Sequence, residues 1–138
     1  MKMSPYLAFN GNCEEAFKYY EKVLGGKIVI MMPHAGSPAE EHVPAEWRDK
    51  IMHARLVFGD DQVLMGADAP PQYRTTMSGF SVSLQFTDVA EAERVFNALA
   101  DKGQVKMALS KTFWAERFGM VIDRFGTPWM VNCEAAAA

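Results

Sequence analysis

A chain of 138 residues, 49% hydrophobic and 22% charged, has the composition of a globular protein with one real core, which excludes a disordered chain or two independent domains. A net charge of −3, with no Lys/Arg cluster longer than two residues, argues against a nucleic-acid surface. No apolar run approaches the ~20 residues that span a bilayer and no signal pattern opens the chain, so the expected location is the cytoplasm. There Cys13 and Cys133 read as buried free thiols rather than a disulfide framework.

In chain order, Ser4 to Phe9 reads as a short strand. Asn10-Gly11-Asn12 offers a turn and a helix N-cap, with Glu14 and Glu15 in the first turn, where the helix dipole favours negative charge. Ala16, Phe17, Tyr20, Val23 and Leu24 then recur at helical spacing until Gly25-Gly26 stops the helix. Lys27 to Met32 reads as a second strand. Pro33 to Asp49, with three prolines, a glycine and two histidines, reads as a long excursion, and His34 and His42 on it are expected in solvent. Lys50 to Phe58 and Gln62 to Ala67 form a hairpin across Gly59-Asp60-Asp61, and a second loop runs from Asp68 to Ser78.

Gly79 to Phe86 alternates, with Phe80, Val82, Leu84 and Phe86 toward a core and Ser81, Ser83 and Gln85 away from it. Asp88 caps a helix carried by Val89, Ala92, Val95, Phe96 and Leu99, which Gly103 ends. Val105 to Leu109 is a strand. Thr112 to Trp129 packs Phe113 and Trp114, the Glu116–Arg117 step, the apolar run Met120 to Ile122 and a Phe125-Gly126 turn into a last hairpin. Ala135 to Ala138 reads as a cloning scar.

Each half therefore reads strand–helix–strand–strand–strand. Leu7-x-Phe9 answers Leu84-x-Phe86, Glu15-Ala16 answers Glu91-Ala92, Tyr20 answers Phe96, and Phe58-Gly59 answers Phe125-Gly126. Neither half buries its sheet alone, so two βαβββ modules share a core. The fold class is α+β: a cupped mixed sheet around a cavity, helices outside, in one domain over residues 1–134, with module 1 at about 1–68 and module 2 at about 79–134.

Tyr6-Leu7-Ala8-Phe9-Asn10-Gly11, Lys50-Ile51-Met52-His53-Ala54, Leu64-Met65-Gly66, Thr112-Phe113-Trp114, Phe118-Gly119-Met120 and Phe125-Gly126 with Trp129 resemble the vicinal oxygen chelate superfamily of glyoxalases, bleomycin-resistance proteins and extradiol dioxygenases. The match is to its PhnB-like branch, often labelled with a 3-demethylubiquinone-9 3-methyltransferase domain name. The resemblance implies His or Glu ligands on inner strands, holding a divalent metal that chelates vicinal oxygens. Carried over position by position, the last-strand carboxylate falls on Met130 and its counterpart near Met65 and Gly66. The first strands offer Tyr6 or Ala8, and Ser83 or Gln85. Three N, S or carboxylate ligands do not assemble, so no metal is assigned, although the resemblance allows one. The glycines after a strand lack the spacing of a nucleotide-binding loop, so the methyltransferase label reads as an inherited name.

His53 alternates with Met52 and Ala54 and, with Arg55, faces the concave side. It reads as a general acid–base or lone ligand, or else as a hydrogen-bonded structural histidine. Glu116 reads as a base or ligand, or as one half of an ion pair or dimer contact. Trp114 with Phe113 stacks on a planar substrate or closes the module interface. Tyr6, Arg55, Gln85, Met130 and Asn132 complete the candidate ligand-binding set, with Gln85, Ser83 and Asn132 as hydrogen-bonding groups. The strand methionines (Met31, Met32, Met52, Met65, Met107, Met120, Met130) line an adaptable cavity or fill the core. The leading expectation is a homodimer that binds a small, partly apolar ligand in a cupped cavity without an orthodox metal site. Its rivals are a metal-dependent lyase, isomerase or dioxygenase with a displaced site, and a drug-sequestering resistance protein.

Overall fold

Strands and helices repeat in the expected order in a computed structural model that describes residues 1–134; the tail read as a cloning scar lies outside the described residues. The chain divides into two compact units, Met1–Thr76 and a second that starts at Met77. Unit 1 holds β1 (Tyr6–Phe9), α1 (Cys13–Leu24), β2 (Lys27–Pro33), β3 (Ile51–Phe58) and β4 (Gln62–Asp68). Its sheet runs β1-β4-β3-β2, with β1 parallel to β4 and the other neighbours antiparallel. Strand alternation sends Leu7, Phe9, Ala54, Leu56 and Leu64 to one side, where they are buried with Ala16, Phe17, Tyr20 and Val23 of α1.

The opposite face of unit 1 carries Tyr6, His53, Arg55 and Met65. An extra residue in β3, between the Met32↔His53 and Pro33↔Ile51 pairs, resets the alternation there. Ile51, which strict alternation would put on the face of His53, is buried for that reason. Gly25 ends α1 in the left-handed conformation, its N–H reaching Glu21 O at 3.1 Å. The start of α1 departs from expectation, because Asn12 makes no side-chain cap and Asp68 at the end of β4 does that job instead. The excursion before β3 contains two short 3-10 turns, Pro38–His42 and Ala45–Trp47. His34 is buried, not solvated: its Nδ1 lies 2.9 Å from Lys50 O.

Unit 2 holds β5 (Val82–Phe86), α2 (Val89–Ala100), β6 (Gln104–Ser110), β7 (Ala115–Ile122) and β8 (Pro128–Glu134). Its sheet runs β5-β8-β7-β6, with β5 parallel to β8. Asp88 accepts from Ala90 N at 2.9 Å and so caps α2 as expected. Ala92, Val95, Phe96 and Leu99 of α2 are buried, as are Val121, Trp129 and Val131 of the sheet. Phe80, expected in the alternating strand, lies before it and is exposed, because β5 starts only at Val82. Both cysteines are buried and free. Among the described residues no helix is long and apolar enough to cross a membrane.

Candidate functional site

Strand register places Tyr6 beside Met65, and Met65 beside Arg55, in one row across the open face of unit 1. His53 stands two residues from Arg55 on the same strand face, about 7 Å along it. The Tyr6 side chain crosses β4 to reach it. Its hydroxyl lies 3.0 Å from His53 Nδ1, and the rings stack with centroids 5.7 Å apart. The crossing is open because the next open-face pair is Ala8↔Ala67, which puts little bulk under the ring. Partial burial, and secondarily the nearby Cys13, raise the Tyr6 hydroxyl above its ordinary pKa. A phenol that keeps its proton can donate to Nδ1 or accept from it, so the contact ties the imidazole to the hydroxyl through Nδ1 in either tautomer. His53 thus keeps its other ring nitrogen, Nε2, outside this contact.

The open face of unit 2 combines a polar line with an aromatic and thioether floor. Asn132 Nδ2 donates to Gln85 Oε1 at 2.8 Å, and Gln85 Nε2 donates to Ser83 Oγ at 2.8 Å. That direction leaves Asn132 Oδ1 shielded from solvent without a hydrogen-bond partner. Met130 is in register with Ser83 and Met120, and Phe118 with Asn132. Trp114 stands edge-on to Phe118 at 5.3 Å and to Phe113 at 4.8 Å. Trp114 is half-exposed and Phe113 almost fully exposed. Phe118 was not singled out in the sequence as a site residue. Alternation with Met120 around Gly119 is the signal that points to it.

Glu116 is engaged: Oε1 lies 3.6 Å from Arg117 Nη1 and Oε2 lies 3.9 Å from Lys111 Nζ. Arg117 in turn reaches Glu93 of α2 at 3.3 Å. Unit 1 thus brings Tyr6 and His53 into contact, and unit 2 joins Gln85 to Asn132. Glu116 belongs to an ion-pair chain at the start of β7. A groove of about 410 Å³ beside the first turn of α1, lined by Glu14, Lys18, Asp49 and Lys50 over Asp68, contains none of the predicted site residues. The open-face positions next to the first strands carry Met65 and Met130, thioethers that do not suit a hard divalent cation. Among the described residues no three His, Cys, Asp or Glu side chains group closely enough to hold a metal ion.

A family described as 3-demethylubiquinone-9 3-methyltransferase has a model that matches residues 1–132. Protein YjdN of Escherichia coli K12 is 37% identical over 140 residues, covering 96% of this chain and 95% of that protein. The crystal structure of PA1353 from Pseudomonas aeruginosa is 53% identical with a TM-score of 0.89, covering 97% of this chain and 98% of that one. A PhnB protein from Bacillus cereus shares the fold at 22% identity and a TM-score of 0.79, covering 96% and 99%. The fold likeness extends to a glyoxalase/bleomycin resistance protein/dioxygenase family enzyme from Burkholderia phytofirmans, at 10% identity, a TM-score of 0.66 and coverage of 96% and 97%.

Proposed function

The chain belongs to the 3-demethylubiquinone-9 3-methyltransferase family, and from that premise we propose that it binds a small, partly apolar ligand on the open sheet faces, without an orthodox metal centre. The observation that carries the reading is Asn132 Oδ1, an unpaired acceptor beside Phe118 and Met130. Ligand sites are mostly apolar surfaces with a few placed polar groups, and an orphaned buried acceptor costs free energy until a donor meets it. Each sheet has four strands with a single parallel pair, unlike the largely parallel, doubly wound sheet of nucleotide-type cofactor folds. That topology supports reading the family name as a label and not as an activity.

We further propose a cytoplasmic homodimer. Edge strands β2 and β6 expose Val29, Met32, Val105 and Met107, apolar edge surface that a second copy would cover. Light scattering at micromolar concentration should give twice the chain mass, and a monomer would remove this part of the reading.

The test of the binding proposal is a thermal-shift screen of small aromatic compounds bearing N–H or O–H donors, followed by calorimetry. Trp114→Ala and Asn132→Leu should each weaken the best compound about tenfold or more, in line with loss of an aromatic or polar anchor. Unchanged affinity in both variants would remove the site from unit 2. One tightly held divalent metal per purified chain would overturn the metal-free part of the proposal.

A further inference from the structure

Arg48, Arg94, Arg117 and Arg124 each meet a carboxylate, from Glu40, Glu91, Glu93 and Asp101 respectively. Arg74 is exposed. Arg55 is different: it is half-buried in the middle of β3, and among the described residues its side chain has no carboxylate or hydrogen-bond partner. A guanidinium stays charged in proteins and carries five donors in a fixed fork, so partial removal from water calls for acceptors of opposite charge. Its neighbours Ala54 and Leu56 are fully buried, which turns Arg55 to the open face. There His53, held at Nδ1 by the Tyr6 hydroxyl, offers its other ring nitrogen two residues away. A bidentate cation with an imidazole on the same face matches the chemistry of an oxyanion.

We infer that the open face of β3 is an oxyanion site, with Arg55 as its anchor and His53 as its second donor, taking a small carboxylate- or phosphate-bearing molecule. Tyr6 is a positioning residue that holds the His53 ring through its Nδ1 and by stacking. The inference rests on the reading above for its premise that the open faces take ligand, and it adds the charge class of that ligand.

The test is a titration of the full chain with acetate and with inorganic phosphate, against chloride at matched ionic strength. The readouts are the Arg Nε–H and His ring nitrogen signals in ¹⁵N NMR. Saturable shifts at Arg55 and His53, larger than those at exposed Arg74, are expected with at least one anion, and the stronger of the two identifies the chemistry preferred. Arg55→Gln should weaken the response of His53 about tenfold or more, and Arg55→Lys should recover only part of it, because the ammonium lacks the fork. Arg55 shifts no larger than those of Arg74 would overturn the site. So would Arg55 shifts that follow protein concentration instead of anion, since they would assign the guanidinium to a second copy. An aromatic compound that binds through Trp114 while Arg55 ignores both anions would overturn the oxyanion site and leave the binding reading intact.

Discussion

Asp68 Oδ1 accepts from Gly11 N at 2.9 Å and Cys13 N at 3.0 Å, and its Oδ2 accepts from Ile51 N at 2.8 Å. One buried carboxylate therefore caps α1, closes the turn before it and anchors the start of β3. Asp123 plays a similar part in the last hairpin. Its Oδ1 accepts from Phe125 N and Thr127 N at 2.9 and 3.0 Å, and its Oδ2 accepts from Trp129 Nε1 at 2.8 Å. Removing either side chain strands several buried donors at once, at ~1–3 kcal/mol each before relaxation. Asp68→Ala should cost about 3–5 kcal/mol in urea unfolding, and Asp68→Asn less, because the amide still accepts at one end. A loss under about 1 kcal/mol for Asp68→Ala would sink this account. Neither aspartate stands out in the sequence. Asp68 looks like an ordinary loop opener, and its partners lie far away in the chain, so nothing local announces a buried acceptor.

At the scale of elements, each helix presses a phenylalanine onto its sheet, and each sheet leaves a hole for the ring. In unit 1 the cross-strand pair beneath α1 is Ala54↔Gly66, and in unit 2 the corresponding pair beneath α2 is Gly119↔Val131. The glycine has moved one strand across. A Cβ on Gly66 would meet Phe17 Cε1 at 2.9 Å and Leu7 O at 3.0 Å, and one on Gly119 would meet Phe96 Cε2 at 2.8 Å and Leu109 Cα at 2.9 Å. Gly66→Ala and Gly119→Ala should each destabilise by about 1–3 kcal/mol through overpacking. Phe17→Leu should relieve part of the Gly66→Ala cost, since the ring edge is the closer obstacle, whereas the backbone at Leu109 limits any such rescue of Gly119→Ala. A double-mutant cycle that shows no coupling between positions 17 and 66 would refute the ring-in-hole packing. Helical periodicity made Phe17 and Phe96 legible as core residues, but which strand residue must be small depends on tertiary approach and leaves no periodic trace. The candidate site divides the same way. Alternation put Tyr6, His53, Arg55, Gln85 and Asn132 on open faces, while the Tyr6–His53 and Gln85–Asn132 bonds depend on register between strands distant in sequence.

Across the whole molecule, the repeat was legible because the Leu-x-Phe strands, the Glu-Ala pairs, two helical periodicities and the Phe-Gly turns recur in the same order, which constrains topology more than any single propensity does. Stability against pH also belongs to this scale, since it sums groups from both units. Burial, reinforced by the Asp68 and Glu14 carboxylates, pushes the Cys13 thiol well above its ordinary range. Burial, with Asp88 and Glu116 adding and Arg117 opposing, raises Cys133, and the Tyr6 hydroxyl is raised too. All three are acids that fold in the neutral form. The unfolded chain therefore releases thiol protons near pH ~8.5 that the native chain retains. With fewer protons bound to the unfolded state, stability is intact below that pH and falls as pH rises through it toward the higher native value. Cys13 alone should remove about 2 kcal/mol between pH 7 and pH 10, with the unfolded Tyr6 adding its own loss at the upper end. Urea unfolding of wild type and Cys13→Ala at both pH values isolates the contribution. The variant starts lower at pH 7, because it leaves a small cavity, and loses less on going to pH 10. Parallel losses in the two proteins would show that the buried thiol is not the source of the alkaline decline.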